Sequence, residues 1–514
     1  MKKIIELALS PEVAFNRNFL YKKISKFLKI KNEDLKHIRF LKRSIDARTR
    51  KVIVNIQVEV YINENPEERF IEPINLQNVK NKPEIIIVGA GPAGLFAAIK
   101  LIESGYKPII IEKGKKVEER TVDINNFLNS GCFNKDSNFC YGEGGAGTFS
   151  DGKLYTRSKK RGNYFRVFEI LYLHGADESI LYDSHPHIGS DKLPEIIKNI
   201  RRTIENAGGE FYFSSKLIDI DLTSNKVKKI ITQDKTFSGL AYIFVTGHSA
   251  RDVYEIFQNK NIDIESKPFA AGVRIEHPQE LINEIQYHGI RDKFLPPAYY
   301  MVAEQIDGRG VYSFCMCPGG EIVPAMTDYD EIVVNGMSNS KRNSSFANSG
   351  FVVQIKHEDF VKINDKIGAL ILQEKLEKLA FENSNRDFKA PAQRVSDFLK
   401  GKTSTILPPC SYKPGVVSSP LHEWLPDFIK FSIKEALLKI NKKMKGFVSE
   451  NAILVGVESR TSSPIRIPRN PDTGHHIKIV NLYPAGEGSG YSGGIVSSAV
   501  DGMNIAQKLV KNLY

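Results

Sequence analysis

The chain has little of what would make it a disulfide-stapled or membrane protein. Its 514 residues hold five cysteines (Cys132, Cys140, Cys315, Cys317 and Cys410). So few, and odd in number, they argue against a disulfide framework and for a reducing cytoplasm. No stretch approaches the roughly 20 apolar residues of a membrane span. The opening "MKKIIELALSPEV" carries two lysines, but Glu6 and Pro11 interrupt its apolar run, so no secretory signal is expected there. No grouping of cysteine and histidine has zinc-site spacing, so no metal is expected. A Walker-type phosphate loop is missing too, as is any internal repeat.

What is present is ordinary for a folded protein: 41% hydrophobic and 26% charged residues, enough for two or three domains with their own cores. The net charge of +12 is unevenly spread, because residues 1–60 hold 15 Lys/Arg against 6 Asp/Glu. A well-solvated face is the plain reading of such a run. The rival is a surface for an anionic partner such as RNA, which no nucleic-acid motif supports.

Three blocks follow one another. Residues 1–80 alternate "IIELALS", a helical "NRNFLYKKISKFLKI", "IRFLKRSIDA" and "KVIVNIQVEVYI", a small basic α+β module. From residue 81 to 258 the pattern is α/β, opening on "EIIIVGAGPAGLFAAIKLIESGYKPIIIEKG", a buried strand, a glycine turn, a helix and a second strand. Residues 259–450 read as a mostly antiparallel sheet with helices at 364–381 and 427–443. The α/β pattern returns over 451–514, beginning with a strand "NAILVGV". One α/β domain (81–258 and 451–514) interrupted by an inserted cap domain is the simplest account.

Gly89, Gly91 and Gly94 form G-x-G-x-x-G between strand and helix, with Pro92 and Ala93 inside the turn. Glu112 ends the next strand, followed by Lys113. In this order the glycines permit the turn, the approach of a pyrophosphate and helix–strand packing, while the carboxylate suits a ribose diol. A nicotinamide dehydrogenase would continue with further alternating units. Here the chain supplies "TGHSA" after a late strand and then "YPAGEGSGYSGG".

With "GEGGAGTFSDGKL", "HPHIGSDKL", "GVRIEHPQEL", "YSFCMCPGG" and "RTSSPIRI", these segments resemble the two-dinucleotide-binding-domain flavoproteins, and specifically a family labelled uncharacterised FAD-dependent dehydrogenases. The resemblance covers most of residues 85–510. It implies a discontinuous Rossmann-like FAD-binding domain, bound FAD, and an oxidoreductase exchanging hydride between flavin N5 and a small-molecule substrate or electron acceptor. Thr246 and Gly247 fall in the second FAD segment. Gly486 and Glu487 stand where the family's broader group has Gly-Asp at the ribityl chain; Gly493, Gly494 and Ile495 open the last helix. Gly144, Gly145, Ala146 and Gly147 are expected to lie against flavin and pyrophosphate, with Ser150, Asp151 and Lys153 at its edge.

The substrate side is less defined. Arg460, with Arg466 and Arg469, suits an anionic group. His277 and His248 are candidates for proton transfer because imidazole titrates near neutrality. Cys315 and Cys317 are expected on one strand face, either as a thiol pair near the flavin or as small buried residues. A second G-x-G-x-x-G is absent, so NADH or NADPH, if the donor, would have no Rossmann domain of its own. An RNA-linked flavoprotein and a non-enzymatic FAD-binding protein are the alternatives.

Overall fold

The computed structural model describes residues 1–155 and 162–513. Its first part is an antiparallel sheet of β1 (Lys2–Leu9), β2 (Leu35–Asp46) and β3 (Ile53–Ile62), in the order β1-β3-β2, crossed by helix α1 (Arg17–Leu28). Alternation puts Val54, Ile56, Val58 and Val60 on one face, where they pack with Leu20 and Ile24. Two of the module's arginines are tied to carboxylates. Arg39 pairs with Glu59 at 2.8 Å, and Arg43 makes a two-pronged pair with Asp183 at 2.7 and 2.8 Å. The Arg43 guanidinium also lies over the rings of Phe40 and Tyr182, which fastens the module to the segment beyond.

The second part is a parallel sheet. Strand β4 (Glu84–Val88) leads through the glycine turn to helix α2 (Pro92–Glu103) and strand β5 (Lys107–Ile111). Helix α3 (Val117–Ser130) precedes the glycine-rich stretch, and β6 (Glu210–Tyr212) and β7 (Ala241–Phe244) complete the run. The apolar cores of β4, β5 and β7 are closed to solvent on both faces, as a sheet between helices requires, while the edge strand β6 is half-buried.

The third part is a mixed seven-stranded sheet. Its named strands are β8 (Phe269–Pro278), β9 (Arg309–Cys317), β10 (Phe346–Ile355), β11 (Ala390–Arg394) and β12 (Ile453–Glu458). They run in the order β9-β10-β8-β12-β11, all antiparallel, with Ala303–Ile306 at one edge and Val416–Ser418 in parallel at the other. Helices Gly368–Glu382 and Asp427–Lys443 pack against it.

One expected element sits elsewhere. "NAILVGV" was expected in the FAD-binding part, yet β12 is hydrogen-bonded between β8 and β11 in the cap sheet. A continuously buried strand looks the same in either sheet, so its sequence could not choose between them. The chain rejoins the parallel sheet only at β13 (Leu482–Pro484), giving the order β13-β7-β4-β5-β6. It ends in helix α4 (Ile495–Leu513). That helix lies against α2 so closely that a Cβ on Gly502 would fall 2.1 Å from the Ala93 carbonyl oxygen. Among the described residues no helix is long and apolar enough to cross a membrane.

Candidate active site at the glycine turns

Four segments far apart in sequence converge above the carboxyl ends of the parallel strands, where open α/β sheets take their ligands. In the first turn, Gly94 has no room for a side chain, since its Cβ would lie 2.1 Å from the Gly89 carbonyl oxygen. Gly91 is the residue before α2 and carries no side chain to cap it, which leaves the helix N-terminus free for an anion. The loop 144–147 settles on this turn: a Cβ on Gly145 would lie 3.2 Å from the Gly91 Cα, and one on Gly147 3.1 Å from Ile495 at the start of α4. The last turn closes the ring, with Gly486 against Ala93 and Gly488 against Gly247.

A residue that sequence reasoning missed holds the loop in place. Arg120, on α3, is fully buried. Its guanidinium donates to the carbonyls of Asn138, Phe139, Glu143 and Gly145 at 2.8–3.0 Å, and more weakly to that of Gly142. Burial brings its pKa down to about 10, the negative groups around it opposing, so it is still a cation at neutral pH. Gly142, at φ +116°, is glycine because a Cβ there would strike the Arg120 side chain at 2.4 Å. One arginine in an ordinary helix carries no local signal for such a role.

Glu112 is the second organiser. One oxygen accepts from Ala90 N–H at 2.9 Å; the other accepts from Gly114 and Gly142 N–H at 2.9 and 3.0 Å. It thereby joins the first turn to the glycine-rich loop and keeps about one acceptor position for a ligand. Lys113, beside it, pairs with Asp136 and Asp252 and lies 4.1 Å over the Tyr141 ring. A small cavity here is lined by Glu112, Lys113, Tyr141, Ser215, Thr246 and Asp252. At the other end Gly493 and Gly494 face open space among the described residues, and Glu487 stands 3.4 Å from His248.

Beyond the loop the polar residues turn toward the cap. Ser150 Oγ donates to the Gly147 carbonyl at 2.7 Å. Asp151, almost fully buried, pairs with Arg342 at 3.1 Å and Lys153 at 3.4 Å. Burial alone would raise its pKa, but those cations outweigh it and hold the carboxyl at about 2. Lys153 reaches Cys317 and Cys315 in the cap, its Nζ lying 3.5 and 3.8 Å from their sulfurs.

Of the expected catalytic residues His277 lies apart from this convergence, whereas Arg460 borders it, its Nη1 3.3 Å from Ser249 Oγ. His277 is sealed in the cap core, its Nε2 2.8 Å from the Phe447 carbonyl and its ring against the Phe447 ring. Burial lowers its pKa to about 4. Arg460 is enclosed by carboxylates: its Nη2 lies 2.7 Å from Glu331 and 2.9 Å from Glu377. Arg469 is held by Asp501 at 2.7 Å, and only Arg466 of the three is exposed.

Comparison with known proteins bears on the same regions. Residues 84–122 match a FAD binding domain, 268–461 a "FAD-dependent protein, C-terminal domain-like" model, and 1–61 a domain of unknown function. An uncharacterized protein of Clostridium beijerinckii is 41% identical over 516 residues, covering 96% of either chain. The chain belongs to the FAD-dependent protein family. Its cofactor is FAD, and it stands with the FAD-dependent oxidoreductases. Solved structures align more loosely. E. coli quinol fumarate reductase is 12% identical, covering 84% of this chain and 71% of that one, with TM-score 0.38. Glycine oxidase from Bacillus cereus is 12% identical, covering 84% and 96%, with TM-score 0.31. Likenesses of that size assign no role to any residue of this FAD-dependent protein.

Proposed function

We propose that the protein is a FAD-dependent oxidoreductase that exchanges hydride with an anionic small molecule. The convergence of the four glycine segments on two helix N-termini carries the FAD part of the reading. The pyrophosphate takes the N-terminus of α2 over Gly89, Gly91, Pro92, Ala93 and Gly94, under the cover of Gly144, Gly145, Ala146 and Gly147. Glu112 offers its remaining acceptor to the ribose, and Lys113, Thr246 and Gly247 border the adenosine end. Glu487 accepts from the ribityl chain, while Gly493, Gly494 and Ile495 bring the positive end of α4 to the ring. Bound flavin supplies the two-electron chemistry at N5.

The substrate side is supported by a cleft of about 840 Å³ between the basic module, residues 179–187 and the cap, within the usual size range of a ligand site. Arg43, Arg48 and Arg342 line it with His185 and His187, against the two carboxylates Asp46 and Asp183, a lining with one cation in excess that favours an anion. Arg342 joins the cleft to the glycine-rich loop, since the Asp151 it holds follows Gly147 by four residues. His248, paired with Glu487, is better placed for proton transfer than His277.

Anaerobic titration of the purified holoprotein with NADH and NADPH tests the reading. Bleaching by one of them identifies the donor and makes oxidised anions the substrates to search. A flavin that neither nucleotide nor any anionic reductant bleaches would defeat it.

A further inference from the structure

The cap contributes one charged cluster that this reading does not use. Along β9 the pairing with β10 slips between Phe314 and Cys317, and Cys315 has φ +44°, a left-handed conformation that cysteine rarely adopts. β-Bulges of this kind re-aim side chains and are common beside active sites. Simple strand alternation is therefore not what brings Cys315 and Cys317 to the same side. The irregularity leaves both sulfurs within 4 Å of the Lys153 ammonium, which comes from the glycine-rich segment. The buried Arg274 guanidinium lies 3.6 Å from the Cys317 sulfur and donates to the Cys315 carbonyl at 2.8 Å. The Cys317 thiol lies 3.2 Å from that same carbonyl.

Charge does not close in this cluster without the sulfurs. Lys153, Arg274 and Arg342 bring three cations, while Asp151 and Glu458 bring at most two anions. Hydrogen bonding from Cys317, then the charges of Lys153 and Arg274, pull the Cys315 pKa down to about 6. Cys317 is driven the other way by that same contact and by burial. One thiol of the pair is thus a thiolate near neutrality and the other keeps its proton, the division of labour of a reactive dithiol.

We propose that Cys315 and Cys317 form a dithiol–disulfide couple that exchanges an electron pair with the bound flavin. In the oxidising direction the Cys315–Cys317 sulfur–sulfur bond forms and the Cys317 S–H bond breaks. The electron pair and that single proton pass to oxidised FAD, giving the anionic reduced flavin, whose charge suits the N-terminus of α4. Lys153 is a positioning residue: it holds the thiolate and belongs to the segment whose Gly147 touches Ile495. The inference rests on FAD being bound, but not on the identity of the anionic substrate.

Two measurements test it on the full-length protein. Iodoacetamide at pH 7, followed by peptide mass mapping, is expected to label Cys315 before the exposed Cys132. Lys153→Met is expected to slow Cys315 labelling about tenfold, by removing the cation that favours the thiolate. That ranking needs no flavin, so it is read separately from any failure of the FAD assignment. Anaerobic dithionite titration of air-oxidised holoprotein is expected to consume a second electron pair per flavin, with the Cys315–Cys317 peptide gaining two hydrogens in mass. Cys317→Ser is expected to take up only the flavin's own pair. Labelling of Cys315 no faster than Cys132, or uptake of a single pair by the unsubstituted protein, would overturn the proposal.

Discussion

Two clusters of buried cations sit in this molecule, and they are built differently. Around Arg460 every cation is matched: Arg251 and Arg460 face Glu331 and Glu377, with Arg251–Glu377 at 2.6 Å and Arg251–Glu331 at 2.9 Å, and Glu374 lies 3.4 Å from Arg251. The donors are spent on carboxylates or on neighbouring polar side chains, Arg460 also reaching Thr327 Oγ1 at 2.9 Å and Arg251 reaching Gln373 Oε1 at 3.2 Å. Around Lys153 the cations outnumber the carboxylates, and two sulfurs occupy the place of the missing anion. The first arrangement joins helix Gly368–Glu382 to the segments around 251 and 460 and has nothing left to offer a ligand. The second has reactivity to spare. Counting arginines in a sequence cannot separate them; counting the partners that each finds can.

The largest expected effect comes from breaking the matched cluster. Glu377→Gln leaves Arg251 and Arg460 sharing Glu331, with only the less buried Glu374 beside Arg251 as a second carboxylate, and losing one partner of a buried pair costs about 3–5 kcal/mol. Thermal unfolding should show that loss as a much lower midpoint, while the flavin spectrum of the folded protein stays as it was. A spectral change without destabilisation would mean that the cluster belongs to the active site after all.

Arg120 comes next, because it supports the loop and touches neither cluster. Arg120→Met leaves four or five buried carbonyls without their donor. A cost of about 3 kcal/mol is expected, together with release of FAD on desalting. Arg120→Lys should rescue little, since an ammonium cannot reproduce the planar fork.

His277 separates a structural histidine from a catalytic one. Its folded pKa of about 4 lies below the 6.5 of a free imidazole, so the unfolded chain takes up a proton that the folded one refuses. Stability should therefore fall as pH drops from about 6.5 to about 4, by about 3 kcal/mol in all. His277→Gln should flatten that part of the stability–pH curve and leave the pH dependence of flavin reduction unchanged.

The smallest effect sharpens the second cluster. Asp151 opposes the Cys315 thiolate, so Asp151→Asn should raise the alkylation rate of Cys315 at pH 5, where little of it is ionised, by about two- to threefold, as the thiolate fraction grows. Slower labelling would mean that the loop had moved and the cluster had come apart.

The same contrast explains what could be read before the structure. The glycine cradle was legible because close approach leaves no room for a Cβ, against backbone at Gly94 and Gly488 and against the Arg120 side chain at Gly142. Its architecture followed, since strand–glycine–helix order specifies a nucleotide-binding turn. Arg120 was illegible because nothing in an amphipathic helix marks which arginine is turned inward. The run "RTSSPIRI" suggested an anion site, but Glu331 and Glu377, far off in sequence, neutralise Arg460. Cys315 and Cys317 were legible as a pair sharing a side of the strand, whereas the slip in β9 and the approach of Lys153 are tertiary facts. The strand β12 went to the wrong sheet because "ILVGVE" is buried in either.

The visible absorption spectrum of the purified protein, before and after addition of FAD and desalting, tests the central claim most directly. The convergence of four glycine segments predicts tightly held oxidised flavin in stoichiometric amount, retained through desalting and lost in Arg120→Met. A folded protein that shows no flavin spectrum even after FAD is added would contradict it.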